Sequence, residues 1–173
     1  MKNAGRALLL DWGGTLMIEA PGAKGAMVDW PVVRAAPNAE AALRELGKSW
    51  TIALATNARD SDESQIRGAL ARVGLNELVE AVFCFRSLGV KKPEPAFFER
   101  VLEGLGLEPS RVVMVGDSWE VDVQGAFRAG LRAVWYVPDG GGPPPRNDTP
   151  LIRDFAHLPQ LLEKMAPFGD EEG

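Results

Sequence analysis

The sequence has few of the features that mark secreted or membrane proteins. Cys84 is the only cysteine, so no disulfide can form within the chain, and a reducing compartment is expected. Lys2 and Arg6 are followed by only four apolar residues before Asp11, which is too short for a secretory signal. No apolar run approaches the length of a membrane span. These absences favour a cytoplasmic protein without a membrane partner.

Positive charge is also scarce. The chain has 19 Lys and Arg residues against 24 Asp and Glu residues, and its formal net charge is -5. The sequence therefore lacks the basic field that would attract a nucleic acid. At 173 residues, of which 46% are hydrophobic, the chain is expected to form one domain over residues 1–168. The acidic residues 169–173 are expected to be a disordered tail.

The sequence does contain a regular alternation of strand and helix patterns. Short apolar runs predict buried strands, and the segments between them place apolar residues at helical spacing. Strands that alternate with helices are connected by crossovers and form a parallel sheet that is covered on both faces. We therefore predict an α/β fold, a three-layer Rossmann-like sandwich with a central parallel sheet of about five strands. The predicted strands are 7–10, 51–55, 81–85, 111–115 and 132–136.

Helix boundaries and one loop can also be predicted. Asn38 fits the N-cap of a first helix, and Asp60 with Glu63 resembles a capping pair ahead of a second. Residues 138–150 are rich in glycine and proline and predict a loop, and a last helix is predicted near 158–165.

Polar side chains follow four of the predicted strands. Because the carboxyl ends of parallel strands meet at one edge of a sheet, where ligands bind, we expect these side chains to share a cleft. Crowded carboxylates raise one another's pKa unless a cation compensates, and their oxygens are ligands that suit Mg²⁺. A lysine and a threonine beside them would bind a phosphoryl group. The residues are Asp11 and Thr15, then Thr56 and Asn57, then Lys91 and Lys92, then Asp117, Ser118 and Asp122.

These residues belong to four motifs that together resemble the haloacid dehalogenase (HAD) superfamily of aspartate-nucleophile hydrolases. The resemblance covers roughly residues 7–136. It implies a Mg²⁺-dependent phosphatase that acts on a phosphorylated substrate through an aspartyl-phosphate. The motifs are Asp11-Trp12-Gly13-Gly14-Thr15-Leu16, Thr56-Asn57, Lys92-Pro93-Glu94-Pro95, and Gly116-Asp117-Ser118 with Asp122.

The resemblance implies a catalytic role for three of the motifs. Asp11 would be the nucleophile that accepts the phosphoryl group. Thr56 and Asn57 would bind the phosphoryl oxygens. Lys92 would bind phosphate as well and screen the charge between it and the nucleophile.

The resemblance also implies a set of metal ligands. Asp11 and Asp117 would bind Mg²⁺ directly, together with the backbone carbonyl of Gly13. Asp122 would support the metal or Lys92 from nearby.

The sequence departs from the family at Gly13. Family phosphatases carry a second aspartate at this place, which acts as general acid and base, a contribution of ~10²–10⁴-fold in rate. Two hypotheses stay open: a slow phosphatase, and a catalytically weak or inactive HAD-fold interaction or regulatory module. Glu19 and Asp29 are candidates to replace the missing acid, although most carboxylates at such positions are simply solvated.

The segment 16–36 is too short to be a separate cap domain and is expected to form a flap. The resemblance then implies an open cleft that accepts a large substrate, or a cleft that a second subunit covers. Trp12 and Trp119 adjoin motif aspartates and are candidates for substrate contact. Trp30 and Trp135 are expected to pack in the core.

Overall fold

Six parallel strands form a single sheet in the order β3-β2-β1-β4-β5-β6. This computed structural model describes residues 5–165, so the predicted tail at 169–173 lies outside the described residues. The predicted α/β fold with a parallel sheet is confirmed. The strands are β1 (Ala7–Leu10), β2 (Thr51–Thr56), β3 (Ala81–Cys84), β4 (Val112–Gly116), β5 (Arg132–Tyr136) and β6 (Leu151–Ile152).

Helices cover both faces of the sheet. They are α1 (Ala39–Leu46), α2 (Glu63–Arg72), α3 (Phe85–Leu88), α4 (Pro95–Leu105), α5 (Gly125–Arg128) and α6 (Leu158–Lys164), with a π-helical segment at Trp119–Gln124 before α5. Within residues 5–165 no helix combines the length and the apolar character that a bilayer crossing requires.

Alternate residues of β1 face opposite sides of the sheet, as the period of two along a strand requires. Leu8 and Leu10 pack into a core that α1, α2 and α6 cover. Ala7 and Leu9 pack into a second core that α4 and α5 cover. All four side chains are fully buried, so burial on both faces explains why this strand is a continuous apolar run.

Strand β6 is a strand that sequence patterns did not predict. It has only two residues, Leu151 and Ile152, which pair with Trp135 and Tyr136 of β5 at the edge of the sheet. A strand of two residues is too short to show a period, so the predicted sheet of about five strands becomes a sheet of six.

The segment 16–36 starts and ends as a narrow pair of extended arms. The Ile18 N–H donates to the Arg34 carbonyl at 2.9 Å, and the Ala36 N–H donates to the Leu16 carbonyl at 2.9 Å. These bonds tie the two ends of the segment together beside the carboxyl end of β1.

The middle of the same segment packs against α2. The Arg72 guanidinium donates to the backbone carbonyls of Val28, Trp30 and Pro31, at 2.9, 2.6 and 3.2 Å. Met27 is buried in the core beneath them. The segment is therefore anchored to the body of the domain at its ends and at its middle.

Candidate active site

Two aspartates emerge side by side from the centre of the sheet. Asp11 directly follows β1 and Asp117 directly follows β4, and these strands are neighbours with Leu10 opposite Val115. The Asp11 N–H continues the ladder by donating to the Val115 carbonyl at 2.9 Å. The carboxyl ends of the two strands therefore bring two acidic side chains to one edge, as parallel pairing requires.

Lys92 lies between two carboxylates and is only 2% exposed. Its Nζ donates to Asp11 Oδ1 at 2.8 Å and to Asp122 Oδ1 at 2.7 Å. Burial alone would lower the pKa of Lys92, but the charges and hydrogen bonds of Asp11 and Asp122 outweigh it and raise the pKa above its usual value. The ammonium therefore remains charged beside Asp11.

Asn57 fixes the position of the lysine through its backbone. The Asn57 Nδ2 donates to the Lys92 carbonyl at 2.8 Å, and the Lys92 N–H donates to Asn57 Oδ1 at 2.8 Å. The side-chain amide that we expected to bind phosphate is thus engaged in positioning Lys92. Both Thr56 and Asn57 line a cavity in front of Asp11, and the buried Thr56 hydroxyl accepts from the Ala58 N–H at 3.0 Å.

Thr15 connects the two aspartates that follow β1 and β4. Its Oγ1 lies 3.2 Å from Asp11 Oδ2 and 3.0 Å from Asp117 Oδ1, and it accepts from the Asp117 N–H at 3.0 Å. On the other side the Trp135 indole N–H donates to the Asp117 carbonyl at 2.9 Å. From the sequence, Thr15 was expected only as a polar residue near the end of β1, and Trp135 only as a packing residue. The structure places both in hydrogen bonds to the aspartates.

Asp122 is almost fully buried at 1% exposure and accepts hydrogen bonds at both oxygens. Oδ1 accepts from Lys92 Nζ, and Oδ2 accepts from the Ser118 N–H at 3.1 Å. Burial raises the pKa of Asp122 to about 6 in spite of the lowering influence of Lys92. A Cβ on Gly116 would stand 2.3 Å from the Asp122 carboxyl carbon, so the close approach of this side chain requires glycine there.

One carboxylate oxygen from each of Asp11, Asp117 and Asp122 lies within 4.8 Å of the others. Loss of surrounding water, together with the charge of Asp11, raises the pKa of Asp117 to about 6. Asp117 has no basic partner among the described residues, whereas Lys92 partly neutralises the other two. Hard oxygen donors with excess negative charge fit a divalent cation such as Mg²⁺.

Two cavities open at this edge of the sheet. One of about 340 Å³ is lined by Asp11, Gly13, Thr56 and Asn57, with residues of the 16–36 segment on its far side. One of about 790 Å³ is lined by Thr15, Asp117 and Arg153 among others. Glu19 lines both cavities and so lies where they meet.

The tryptophans beside the motifs differ in their surroundings. Trp12 is buried and lines the smaller cavity. Trp119 packs edge to face on Trp135, with ring centroids 5.4 Å apart, in the core under α4 and α5. Trp30 packs against the opposite core and also lines the smaller cavity.

A Rossmann-like parallel sheet with a lysine-paired aspartate after its first strand defines a class, the aspartate-based hydrolases. The chain belongs to the haloacid dehalogenase-like hydrolases, because the sequence model of that family matches residues 31–130, more than half of the chain. This confirms the family that the four motifs resemble.

Proteins with different reactions are similar to the chain. N-acylneuraminate-9-phosphatase of Rattus norvegicus is 32% identical over 129 residues, which are 73% of this chain and 51% of that protein. The structure of a 2-haloacid dehalogenase from Pseudomonas syringae pv. Tomato is 32% identical, with a TM-score of 0.66 over 78% of this chain and 55% of that one. The chain therefore spans about half the length of the curated relatives it matches.

The fold alone is also shared with a chain of similar extent. The structure of a HAD phosphatase from Thermococcus onnurineus has a TM-score of 0.75 at 23% identity, over 91% of this chain and 97% of that one.

Proposed function

We propose that the chain is a Mg²⁺-dependent phosphomonoester hydrolase that forms an aspartyl-phosphate on Asp11. The observation that carries the proposal is the position of Asp11. Its carboxylate borders the smaller cavity, with the Lys92 ammonium 2.8 Å from one oxygen and the Thr15 hydroxyl 3.2 Å from the other. A carboxylate fixed in this way, with the Lys92 ammonium beside it, is oriented toward an incoming phosphoryl group.

The cavity in front of Asp11 provides for the phosphoryl group itself. Thr56 and the backbone of Asn57 border the place that the phosphoryl oxygens would take, and the Lys92 charge screens the repulsion between them and Asp11. Attack by an Asp11 oxygen on phosphorus breaks the ester bond, and water then releases the phosphoryl group from Asp11. Dividing one displacement into two in this way is the advantage of a covalent intermediate.

The acidic cluster provides for the cation. Asp11 and Asp117 would bind Mg²⁺ together with the Gly13 carbonyl, while Asp122 would act through its bond to Lys92. When bound, Mg²⁺ neutralises charge on the phosphoryl oxygens. A phosphate ester carries negative charge that this cation would neutralise. The acidic cluster is therefore the reason to favour a phosphate ester as substrate.

Gly13 is the feature that favours a second candidate, an interaction or regulatory module that keeps the fold without turnover. The similarity to a dehalogenase adds a third candidate to be tested, dehalogenation, since a halide leaves without a proton. A cytoplasmic location and a covering second subunit stay predictions.

The test is product release from a panel of substrates, with Mg²⁺ and with a chelator. The panel comprises p-nitrophenyl phosphate, several alkyl phosphates including sugar phosphates, and a 2-haloacid with chloride as the readout. We expect Mg²⁺-dependent phosphate release that Asp11→Asn abolishes, with the variant still folded. Absence of phosphate release by the folded wild type would overturn the proposal, and chloride release in its place would assign dehalogenation.

A further inference from the structure

The space beside Gly13 is filled by a carboxylate from elsewhere in the chain. A Cβ built on Gly13 would stand 2.6 Å from Glu19 Oε1, and 3.4 Å from both Cδ and Cγ of the same side chain. The Gly13 backbone is outside the left-handed region, so its conformation would tolerate a side chain. The residue that would have to move to admit one is Glu19.

The first arm of the 16–36 segment brings Glu19 there. The Gly14 N–H donates to the Met17 carbonyl at 2.8 Å, which turns the chain back on itself directly after Gly13. The Ile18 bond to Arg34 then fixes the next residue along. Glu19 is thereby placed over Gly13 with its side chain exposed to the cleft.

Glu19 is distinguished from the other carboxylates near the cleft by its position. Glu19 lines the cavity that contains Asp11 and the cavity that contains Asp117. Asp29, on the same segment, is exposed and lines neither cavity. Asp60 lines only the smaller cavity, and the three atoms nearest to the added Cβ all belong to Glu19.

We propose that Glu19 is the residue that transfers protons to and from the reacting groups, in place of the side chain that Gly13 lacks. This inference rests on the proposed phosphatase function and assigns one catalytic residue of it. The carboxyl group reaches its place from a different part of the chain, and it faces the same cavity as the Asp11 nucleophile.

The reaction has two steps. In the first, an Asp11 oxygen bonds to phosphorus, the ester P–O bond breaks, and the Glu19 carboxyl gives its proton to the departing oxygen to form the alcohol. In the second, the Glu19 carboxylate takes a proton from water, the water oxygen bonds to phosphorus, and the Asp11 O–P bond breaks. Inorganic phosphate leaves, and Glu19 is again protonated.

The first test compares Glu19→Gln with Asp29→Asn in the full chain. Proton transfer by a positioned side chain is worth ~10²–10⁴-fold, so we expect Glu19→Gln to lower turnover of alkyl phosphates by about 100-fold or more. Formation of the phosphoenzyme from p-nitrophenyl phosphate should change much less, because that leaving group departs without a proton. Asp29→Asn should match the wild type on both substrates.

A second readout follows the intermediate and not the product. Since Glu19→Gln would also slow the attack of water, hydroxylamine-sensitive phosphate should accumulate on the protein during turnover of p-nitrophenyl phosphate. Wild type and Asp29→Asn should show little. Because Glu19 is exposed, unchanged thermal unfolding should show that the loss is chemical.

The third test moves the carboxylate to Gly13. Gly13→Asp alone would place its new side chain against Glu19, whereas the double variant Gly13→Asp/Glu19→Ala removes that contact. We expect the double variant to turn over alkyl phosphates at least tenfold faster than Glu19→Ala, as part of the proton-transfer contribution of ~10²–10⁴.

The results of these tests distinguish the role of Glu19 from the phosphatase function itself. Turnover that needs Asp11 but is unaffected by Glu19→Gln overturns the role of Glu19 and leaves the phosphatase intact. A loss that follows Asp60→Asn and not Glu19→Gln overturns it as well and assigns the proton transfer to Asp60. Absence of Asp11-dependent turnover in the wild type overturns the phosphatase function itself.

Discussion

At the residue scale, the positive charge of Lys92 offsets the repulsion among the carboxylates of the acidic cluster when no cation is bound. Three carboxylates meet around it, and it is hydrogen-bonded to two of them at 2.7 and 2.8 Å. Removing one partner of a buried pair leaves an uncompensated charge, which typically costs ~3–5 kcal/mol.

We predict that Lys92→Met abolishes phosphate release and lowers the free energy of unfolding by about 3–5 kcal/mol at pH 8 without metal. The loss should be smaller near pH 5, because protonation of Asp122 and Asp117 would then relieve the repulsion. Denaturant unfolding at the two pH values measures both quantities. Lys91→Met is the matched control, since its exposed side chain should leave stability within about 0.5 kcal/mol of the wild type.

Asp117 should make cation binding depend on pH. Its pKa is raised to about 6 from an ordinary 3.8, so in the metal-free protein the folded state retains a proton that the unfolded state releases between these values. Stability without metal should therefore fall as pH rises from about 4 to about 6. A bound cation favours the ionised carboxylate, so the stabilisation that the cation provides should increase as pH rises.

We predict that millimolar Mg²⁺ raises the unfolding temperature above pH 6 and that this shift declines as pH falls through 6. Stabilisation by a ligand follows RT ln(1 + [L]/Kd), and protons compete with the cation for Asp117. Thermal unfolding with Mg²⁺ and with a chelator, at several pH values, measures the shift. Asp117→Ala should eliminate it, and Glu120→Gln should retain it; a shift that persists in Asp117→Ala would place the cation elsewhere.

At the scale of elements, the start of α2 shows how a correct helix prediction can rest on a wrong cap. Asp60 and Glu63 had the spacing of a capping pair, but the N-cap is Asp62, and the Asp60 assignment is wrong. The Gln65 N–H donates to Asp62 Oδ1 at 2.9 Å, and the Asp62 N–H donates to Gln65 Oε1 at 3.0 Å. Both pairs have the three-residue spacing of a capping box. The sequence does not distinguish them, and the structure shows that the helix begins at Glu63, directly after Asp62.

We predict that Asp62→Ala lowers the free energy of unfolding by about 0.5–2 kcal/mol, the usual cost of losing an N-cap. Asp60→Ala should stay within about 0.5 kcal/mol of the wild type, since its side chain is exposed and caps nothing. Urea denaturation of the two variants is the measurement. Equal losses in both would contradict the capping box seen at Asp62.

Strands with a uniform apolar run were predictable, and the two-residue strand β6 was not. β1 and β4 are apolar runs that end in an aspartate, so sequence alone located Asp11 and Asp117 at one edge of the sheet. The sequence does not distinguish the π-helical segment Trp119–Gln124 from an ordinary helix, because a change in hydrogen-bond spacing leaves no mark on apolar periodicity. That segment nevertheless carries Asp122 into its bond with Lys92.

At the scale of the whole molecule, the 16–36 segment is part of the body of the domain. Arg72 contributes three hydrogen bonds to its backbone from α2. Sequence patterns predicted that this segment would form a flap, and they offered both Glu19 and Asp29 as acids. Only the folded chain separates these two, because contact between Glu19 and Gly13 depends on how the segment turns and not on spacing.

We predict that Arg72→Ala loosens this segment without unfolding the domain. Arg72→Ala removes all three of these hydrogen bonds. A net loss of about 1.5 kcal/mol would speed amide exchange at Val28 to Trp30 on the order of tenfold, and KM for phosphate esters should rise. Hydrogen exchange read by mass spectrometry is the measurement. Arg44→Ala is the control, because Arg44 forms an exposed ion pair with Glu40 at 2.8 Å. Faster exchange in both variants would show a general loss of stability.

The indole of Trp135 gives the cleft an optical readout. Its N–H bonds to the backbone carbonyl of Asp117 at 2.9 Å, and its ring contacts Trp119. An indole emits at a wavelength that depends on its hydrogen bond and on nearby charge, so occupation of the acidic cluster should alter the intrinsic fluorescence of the protein. A titration with Mg²⁺ could then be followed in the cuvette without any dye, and Trp135→Phe would report how much of the signal comes from this one ring.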